Sequence, residues 1–371
     1  MKKMVPPKRT AIWIGLLLCL SSLSDSVQGG RVPGLYVLGD SQLDVGNNNY
    51  LQTTIRANFP HNGVDYPGHL PTGRFSNGKN LADFIAGSLS VATPPAYRSI
   101  GNFTGNSSIF LNGVNFASGG AGVLKLTSKG LTISFDEQIK RDYSIVHAGL
   151  VQQLGKTQAL AHAEGSIFAI GVGGNDIANR ISLDDPADEQ KLLTSSDSNQ
   201  QFIDSLAHSL KRQLQRLYEL GMRKLFFVGT GPLGCYPLLR QGSVTKECNA
   251  EANSLSMQYN TGVQKLLREM STRQPDFRYS FLDQYAVLKN YINEPQANGF
   301  AEVEAACCAL GDKDAMLICT PESQLCYSRT NHIFWDGAHL TEVTTQKLIA
   351  VAFNGSAPLV APVNLRQLTA P

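Results

Sequence analysis

Short apolar runs recur along this chain, separated by longer stretches in which apolar residues follow helical spacing. Each run spans three or four residues and is bounded by glycine or polar residues, which is typical of strands. The predicted strands are residues 35–38, 114–116, 167–170, 225–228 and 279–282.

The stretches between these runs predict helices. The clearest one covers residues 202–220, where an apolar side chain returns at every third or fourth position. Gly221 follows, and a glycine at that position commonly ends a helix. The same spacing predicts helices over residues 80–89, 135–154, 250–270 and 341–353.

Strands that alternate with helices of this length predict βαβ crossovers, and therefore an α/β fold with a parallel sheet covered on both faces. No Pro- or Ser-rich linker and no internal repeat divides residues 30–371, so we predict a single domain there, ending in a short proline-rich tail over 357–371. In such sheets, ligands bind in the crevice beyond the carboxyl ends of the strands.

The N-terminus has the pattern of a targeting segment. A basic cluster is followed by an apolar run over residues 11–20 and by small residues at 27–30. An uncleaved membrane anchor is the alternative, but a bilayer-spanning helix needs ~20 apolar residues and this run is shorter. We therefore expect residues 1–29 to be a cleaved signal peptide and the mature protein to be secreted, without an integral membrane segment.

Cysteine number agrees with an extracellular protein. Six cysteines remain after the predicted signal, an even count that favours disulfides, although the sequence does not choose among the possible pairings. We expect the adjacent Cys307 and Cys308 to pair elsewhere. A zinc site is the alternative, but no C-x-x-C pair occurs and the cysteines do not alternate with histidines, so we expect neither metal nor cofactor.

Charge and glycosylation signals indicate the kind of partner. The formal net charge of +2 becomes nearly neutral once the basic N-terminus is removed, and no basic block follows. This argues against nucleic acid or an anionic membrane as the main partner and favours a small or neutral ligand. Three sequons, at Asn102, Asn106 and Asn354, predict N-glycans on a secreted chain.

A candidate nucleophile follows the first predicted strand. Ser41 lies in Gly39-Asp40-Ser41, where its hydroxyl would project into the crevice, although these residues also suit a simple loop cap. A serine needs a base, and that base needs an orienting group. Asp336 precedes His339 by three positions just before the last predicted helix, so one loop can supply both. His332 is the rival base, and a metal site of these residues would lack further ligands.

Acyl transfer also needs hydrogen-bond donors for the oxygen of the tetrahedral intermediate. Glycine-rich residues 115–122 follow the second strand, and residues 171–176 follow the third with an asparagine amide. Residues 73–80 nearly spell a P-loop, but Asn80 stands where a magnesium-binding Ser or Thr is needed and no strand precedes. No G-x-S-x-G elbow occurs, which counts against an α/β-hydrolase-type lipase.

With these blocks in this order, the chain resembles the plant-type GDSL esterases/lipases of the SGNH hydrolase superfamily. Residues 72–78, residues 231–235 and the Cys307-Cys308 pair are further landmarks of that resemblance. It implies a three-layer, flavodoxin-like fold with a five-stranded parallel sheet between helices. Gln42 departs from the leucine in the family name, and we expect it to alter the packing behind Ser41.

The resemblance also assigns site residues. It implies that Ser41 is the nucleophile, His339 the general base and Asp336 its partner. It implies that the Ser41 backbone, Gly120 and Asn175 are the oxyanion donors.

The predicted function is a secreted serine esterase or lipase that hydrolyses small-molecule, lipid or carbohydrate esters. Two alternatives stay open: a transacylase that uses the same residues, and a catalytically silent secreted binding or storage protein on the same fold.

Overall fold

The computed structural model describes Met1 and residues 32–101, 107–182, 198–240, 245–310 and 318–370. Nearly all of the predicted signal peptide, together with the sequons at Asn102 and Asn106, lies outside the described residues. In the part of the chain that is described, no helix is long and apolar enough to cross a membrane.

A five-stranded sheet organises the protein. Its first four strands run parallel, in register and in chain order, and the fifth lies antiparallel at the edge beside the fourth. The strands are β1 (Leu35–Gly39), β2 (Ile167–Gly171), β3 (Lys224–Val228), β4 (Arg278–Leu282) and β5 (Val360–Pro362).

The predicted strand 114–116 pairs with β1 only briefly. Val37 donates its amide to the Val114 carbonyl at 3.0 Å, and Phe116 donates to the Val37 carbonyl at 2.7 Å. Ser118 also donates its amide to the Gly39 carbonyl at 3.0 Å, while the amide of Ala117 between them bonds to the Asn115 side chain at 3.0 Å. This segment is therefore a bridge beside β1, and the fifth strand of the sheet is β5.

Residues 357–370 are not a loose tail, as the sequence suggested. They supply β5 and a short helix, Leu365–Leu368, whose two leucines are fully buried. Prolines are compatible with this role because the outer face of an edge strand needs no amide donors. The proline-rich composition thus marks a sheet edge rather than an extension.

Helices cover both faces of the sheet, as predicted. The helix predicted over 202–220 runs from Asn199 to Glu219, is capped by Ser198 and ends before Gly221 at φ 99°. The predicted helix 135–154 contains a π-helical turn at Gln138–Tyr143. Within the described residues, the α-helices are Leu81–Ser88, Phe135–Glu137, Ser144–Leu154, Lys156–Gly165, Gly174–Ser182, Asn199–Glu219, Pro237–Arg240, Ala250–Arg273, Gln284–Asn293, Glu342–Asn354 and Leu365–Leu368.

Alternate residues of each strand face opposite layers. Tyr36 and Leu38 pack into one hydrophobic core, while Leu35 and Val37 pack into the other. Because every residue of β1 is buried, its sequence reads as a continuous apolar run rather than an alternating one. Two cores on either side of one sheet confirm the three-layer α/β class.

The six described cysteines form three disulfides: Cys235–Cys248, Cys307–Cys326 and Cys308–Cys319. The adjacent cysteines do pair with separate partners, as predicted. Cys307 lies between two small two-stranded ribbons, Glu302–Ala306 with His332–Phe334 and Cys308–Ala309 with Gln324–Leu325, and Cys308 begins the second.

Candidate active site

Ser41 lies directly beyond the carboxyl end of β1. Gly39 ends that strand at φ 140°, and a Cβ there would lie 2.1 Å from the Gly171 carbonyl oxygen, so only glycine allows the turn. The Ser41 hydroxyl oxygen lies 2.8 Å from Nε2 of His339. The strand end and a loop near the C-terminus thus meet at this hydroxyl.

His339 joins Ser41 to Asp336. Its Nδ1 lies 2.6 Å from Oδ1 of Asp336, so the ring donates to the carboxylate and Nε2 is left to accept from the serine. The three side chains are 7%, 4% and 0% exposed in the order Ser41, His339 and Asp336. His332, the rival base, instead lies with its Nδ1 2.9 Å from Oδ1 of Asn331.

Backbone amides hold both oxygens of Asp336. Oδ1 accepts from the amides of Ala338 at 3.0 Å and His339 at 2.9 Å, and Oδ2 accepts from the amide of Cys319 at 3.2 Å. Cys319 is tied by its disulfide to Cys308. This contact could not be predicted from the sequence, because the pairing of the cysteines does not follow from their spacing.

Phe75 supports the other side of His339. The two rings are stacked, with centroids 4.9 Å apart and an interplanar angle of 29°. Phe75 belongs to the segment that resembled a P-loop, yet Asn80 at its end caps the helix Leu81–Ser88, accepting from the amide of Ala82. The segment therefore orients the imidazole of His339 through Phe75. In the sequence, the only signal of this role was that residues 72–78 form a landmark of the family resemblance.

The glycine-rich loop after residue 117 is fixed to the nucleophile loop by Asp44. This buried carboxylate accepts from the amides of Gly46, Asn47 and Gly119 at 2.7, 2.7 and 3.1 Å. Burial raises the pKa of Asp44 to about 6, against the opposing effect of these amides. Gly120 follows at φ 83°, and within the described residues its own amide has no hydrogen-bond partner.

Asn175 lies at the start of the helix after β2 and lines the same cavity as Ser41. Its side-chain nitrogen donates to the carbonyl of Ala121 at 2.9 Å. An amide nitrogen carries two hydrogens, so one remains for a ligand. Asn175 therefore connects the cavity beside Ser41 with the glycine-rich loop that ends at residue 122.

Asp40 and Gln42 flank Ser41. Oδ1 of Asp40 accepts from the Gln42 amide at 3.0 Å, and burial raises the pKa of Asp40 to about 7. The Gln42 side chain donates to the Ala338 carbonyl at 3.3 Å and lines the cavity. The expectation that Gln42 alters the packing behind Ser41 was wrong, because its side chain reaches outward to the histidine loop.

Comparison with known proteins shows the family of the chain. Residues 35–351 match the family model described as GDSL-like lipase/acylhydrolase. The chain belongs to this family. The predicted GDSL resemblance is thereby confirmed, and with it the enzyme class, a carboxylic ester hydrolase.

Plant members of the family are similar over most of their length. One GDSL esterase/lipase of Arabidopsis thaliana is 37% identical over 346 residues, covering 91% of this chain and 90% of its own. Another from the same plant is 35% identical over 337 residues, covering 88% and 91%. An extracellular lipase of Streptomyces rimosus, known from a crystal structure, matches with 15% identity and a TM-score of 0.35 over 86% of this chain and 99% of its own.

Proposed function

We propose that this GDSL protein hydrolyses carboxylic esters through a covalent acyl-enzyme on Ser41. The observation that carries the proposal is the buried, hydrogen-bonded chain from Ser41 through His339 to Asp336. Its order and distances are those a serine needs to be activated by a neutral imidazole whose tautomer is held by a carboxylate.

In the first half of the reaction, the Ser41 oxygen attacks the ester carbonyl carbon and its proton passes to Nε2 of His339. The tetrahedral intermediate then collapses, and the alcohol leaves with that proton. In the second half, His339 takes a proton from water, the hydroxide attacks the acyl-enzyme, and the acid leaves as Ser41 regains its proton. Asp336 stays ionised throughout and stabilises the imidazolium.

The oxyanion of each intermediate needs donors on the side away from His339. We assign the amides of Ser41 and Gly120 and the side chain of Asn175. Among the described residues, neither backbone amide has another partner, whereas the amide of Gly119 is occupied by Asp44. This difference supports Gly120 over its neighbour. Removing one such donor typically costs ~3 to 4 kcal/mol of transition-state stabilisation.

Variants of Ser41 and His339 test the proposal. We expect Ser41→Ala and His339→Ala to abolish hydrolysis of p-nitrophenyl butyrate and labelling by a fluorophosphonate probe while the circular dichroism spectrum is kept. Matched controls are Ser166→Ala, whose hydroxyl donates to the His162 carbonyl, and His332→Ala. Activity that survives in Ser41→Ala, or is lost equally in His332→Ala, would contradict the assignment.

We also propose that residues 1–29 direct secretion and are removed, leaving one catalytic domain from residue 30. Asn354, the one sequon within the described residues, is exposed at the end of its helix, where a glycan can be attached. Expression in a secretory plant or yeast host should yield protein in the medium. Peptide N-glycosidase treatment should lower the mass of the wild-type protein. The decrease should be smaller by one glycan in Asn354→Gln.

A further inference from the structure

A small cavity opens beside Ser41. Its volume is ≈ 80 Å³, and it extends from the nucleophile across the carboxyl ends of β2 and β3. Apart from strand-end glycines, its wall is largely aliphatic: Val172, Ala178, Val228, Leu233, Leu238 and Leu239. This composition suits the hydrocarbon part of a substrate.

The position of the catalytic groups decides which part of an ester enters. The leaving alcohol must lie beside Nε2 of His339, which protonates it, and His339 is not among the described residues that line the cavity. Ser41 and Asn175 do line it. A carbonyl held between them therefore directs its acyl substituent into the cavity and its alcohol outward.

The volume limits the acyl group. An apolar cavity of ~150 Å³ accommodates one benzene molecule, so a cavity of about half that size holds about three or four carbon atoms. We propose, resting on the proposed function, that this enzyme is selective for esters of short acyl groups, from acetyl to butyryl. This cavity sets no limit on the size of the alcohol part of the ester, which lies outside it.

The polar part of the wall shows why a longer chain does not simply pass through. It carries the buried polar side chains of Asp40, Thr230, Tyr236 and Gln284. Thr230 donates to the Asn260 side chain at 3.1 Å, and Gln284 donates to the Tyr236 hydroxyl at 3.4 Å. A longer acyl chain would have to displace these groups from their partners, which costs free energy.

Two variants should move the selectivity in opposite directions. Leu239→Ala removes side-chain atoms from the wall and so enlarges the cavity, whereas Ala178→Leu fills part of it. Leu220→Ala is the matched control for the first, since Leu220 is 9% exposed and Leu239 7%, but Leu220 lies at the end of a helix outside the cavity. Each protein is assayed with p-nitrophenyl acetate, butyrate, octanoate and laurate, after active-site titration with a fluorophosphonate.

For the wild type we expect kcat/KM on octanoate to be at least about tenfold below that on butyrate. Leu239→Ala should raise the octanoate-to-butyrate ratio, Ala178→Leu should lower the butyrate-to-acetate ratio, and Leu220→Ala should leave both ratios as in the wild type. A wild type that prefers octanoate or laurate, or equal profiles for Leu239→Ala and Leu220→Ala, overturns the short-acyl proposal alone. A wild type that neither hydrolyses any ester nor reacts with the probe overturns the proposed function and this inference together.

Discussion

The backbone amide of Cys319 donates to Oδ2 of Asp336, 3.2 Å away, and thereby links a disulfide to the carboxylate that orients His339. Hydrogen bonds to a buried charge contribute about 1.5–3 kcal/mol each. The disulfide from Cys319 to Cys308 holds this donor in place. Cys319 and its disulfide are therefore part of the support of the proposed triad.

Removing that disulfide should impair catalysis beyond its effect on stability. We expect Cys308→Ser/Cys319→Ser to lower kcat/KM by about tenfold, the equivalent of one weakened hydrogen bond to the carboxylate. The neighbouring pair is the control, because Cys307→Ser/Cys326→Ser removes a disulfide that carries no donor to Asp336. Esterase assays below the melting temperature of both variants make the comparison, and an equal loss in both would contradict the proposed support.

Replacing the carboxylate itself should have a larger effect. Asp336→Asn keeps the shape but favours the wrong imidazole tautomer, because its amide donates to Nδ1 instead of accepting from it. We expect kcat to fall by about 10³–10⁴-fold with little change in KM. Steady-state kinetics on a short-chain ester measure this, and a decrease of less than tenfold would argue that Asp336 does not orient the base.

The ring of Phe75 should matter for His339. Phe75→Leu keeps an apolar side chain but removes the stacked surface, and we expect kcat to fall by about tenfold since imperfect placement of a catalytic group is costly. Phe110→Leu is a matched control, because Phe110 is 2% exposed and Phe75 3%, and Phe110 packs in a hydrophobic core that does not include His339. Equal losses of kcat in the two variants would reduce the role of Phe75 to packing.

Asp40 should make the fold less stable as the pH rises. Burial raises its pKa from 3.8 to about 7, so its contribution to stability is fully present below the unfolded pKa and is lost as the pH rises through about 7. For a shift of this size, the free energy of unfolding decreases by about 4 kcal/mol over this pH range. Melting temperatures measured between about pH 4 and pH 8 should therefore fall for the wild type relative to Asp40→Asn. A constant difference between the two proteins would exclude this titration.

Gln42 should have only a modest role. Its single 3.3 Å hydrogen bond to the Ala338 carbonyl lies at the half-exposed mouth of the cavity. We expect Gln42→Leu, which restores the family residue, to change kcat/KM by no more than about fivefold, because such bonds contribute about 1 kcal/mol or less. Gln42→Glu keeps the size but lacks the donor and serves as the control. A large loss in both variants would show that this bond positions the histidine loop.

Much of the fold follows from local pattern. Buried parallel strands read as short apolar runs, and the long helix after Ser198 shows both its spacing and its terminal glycine in the sequence. The two departures have physical causes. Residues 114–116 cannot be told from a full strand because they lie beside β1 with parallel hydrogen bonds over only a few residues, and 357–371 read as a tail because proline content does not reveal an edge strand.

The sequence by itself determined the chemical groups and the ends of the elements that carry them, because a nucleophile after a strand and an Asp-x-x-His loop are local patterns. Only the tertiary structure decided which groups meet. Ser41 and His339 are 298 positions apart, and the partners of the six cysteines, the ring over the imidazole and the amide on Asp336 depend on how loops from distant parts of the chain pack together. Such contacts are set by the arrangement of the whole sheet and its helices, which no short segment encodes.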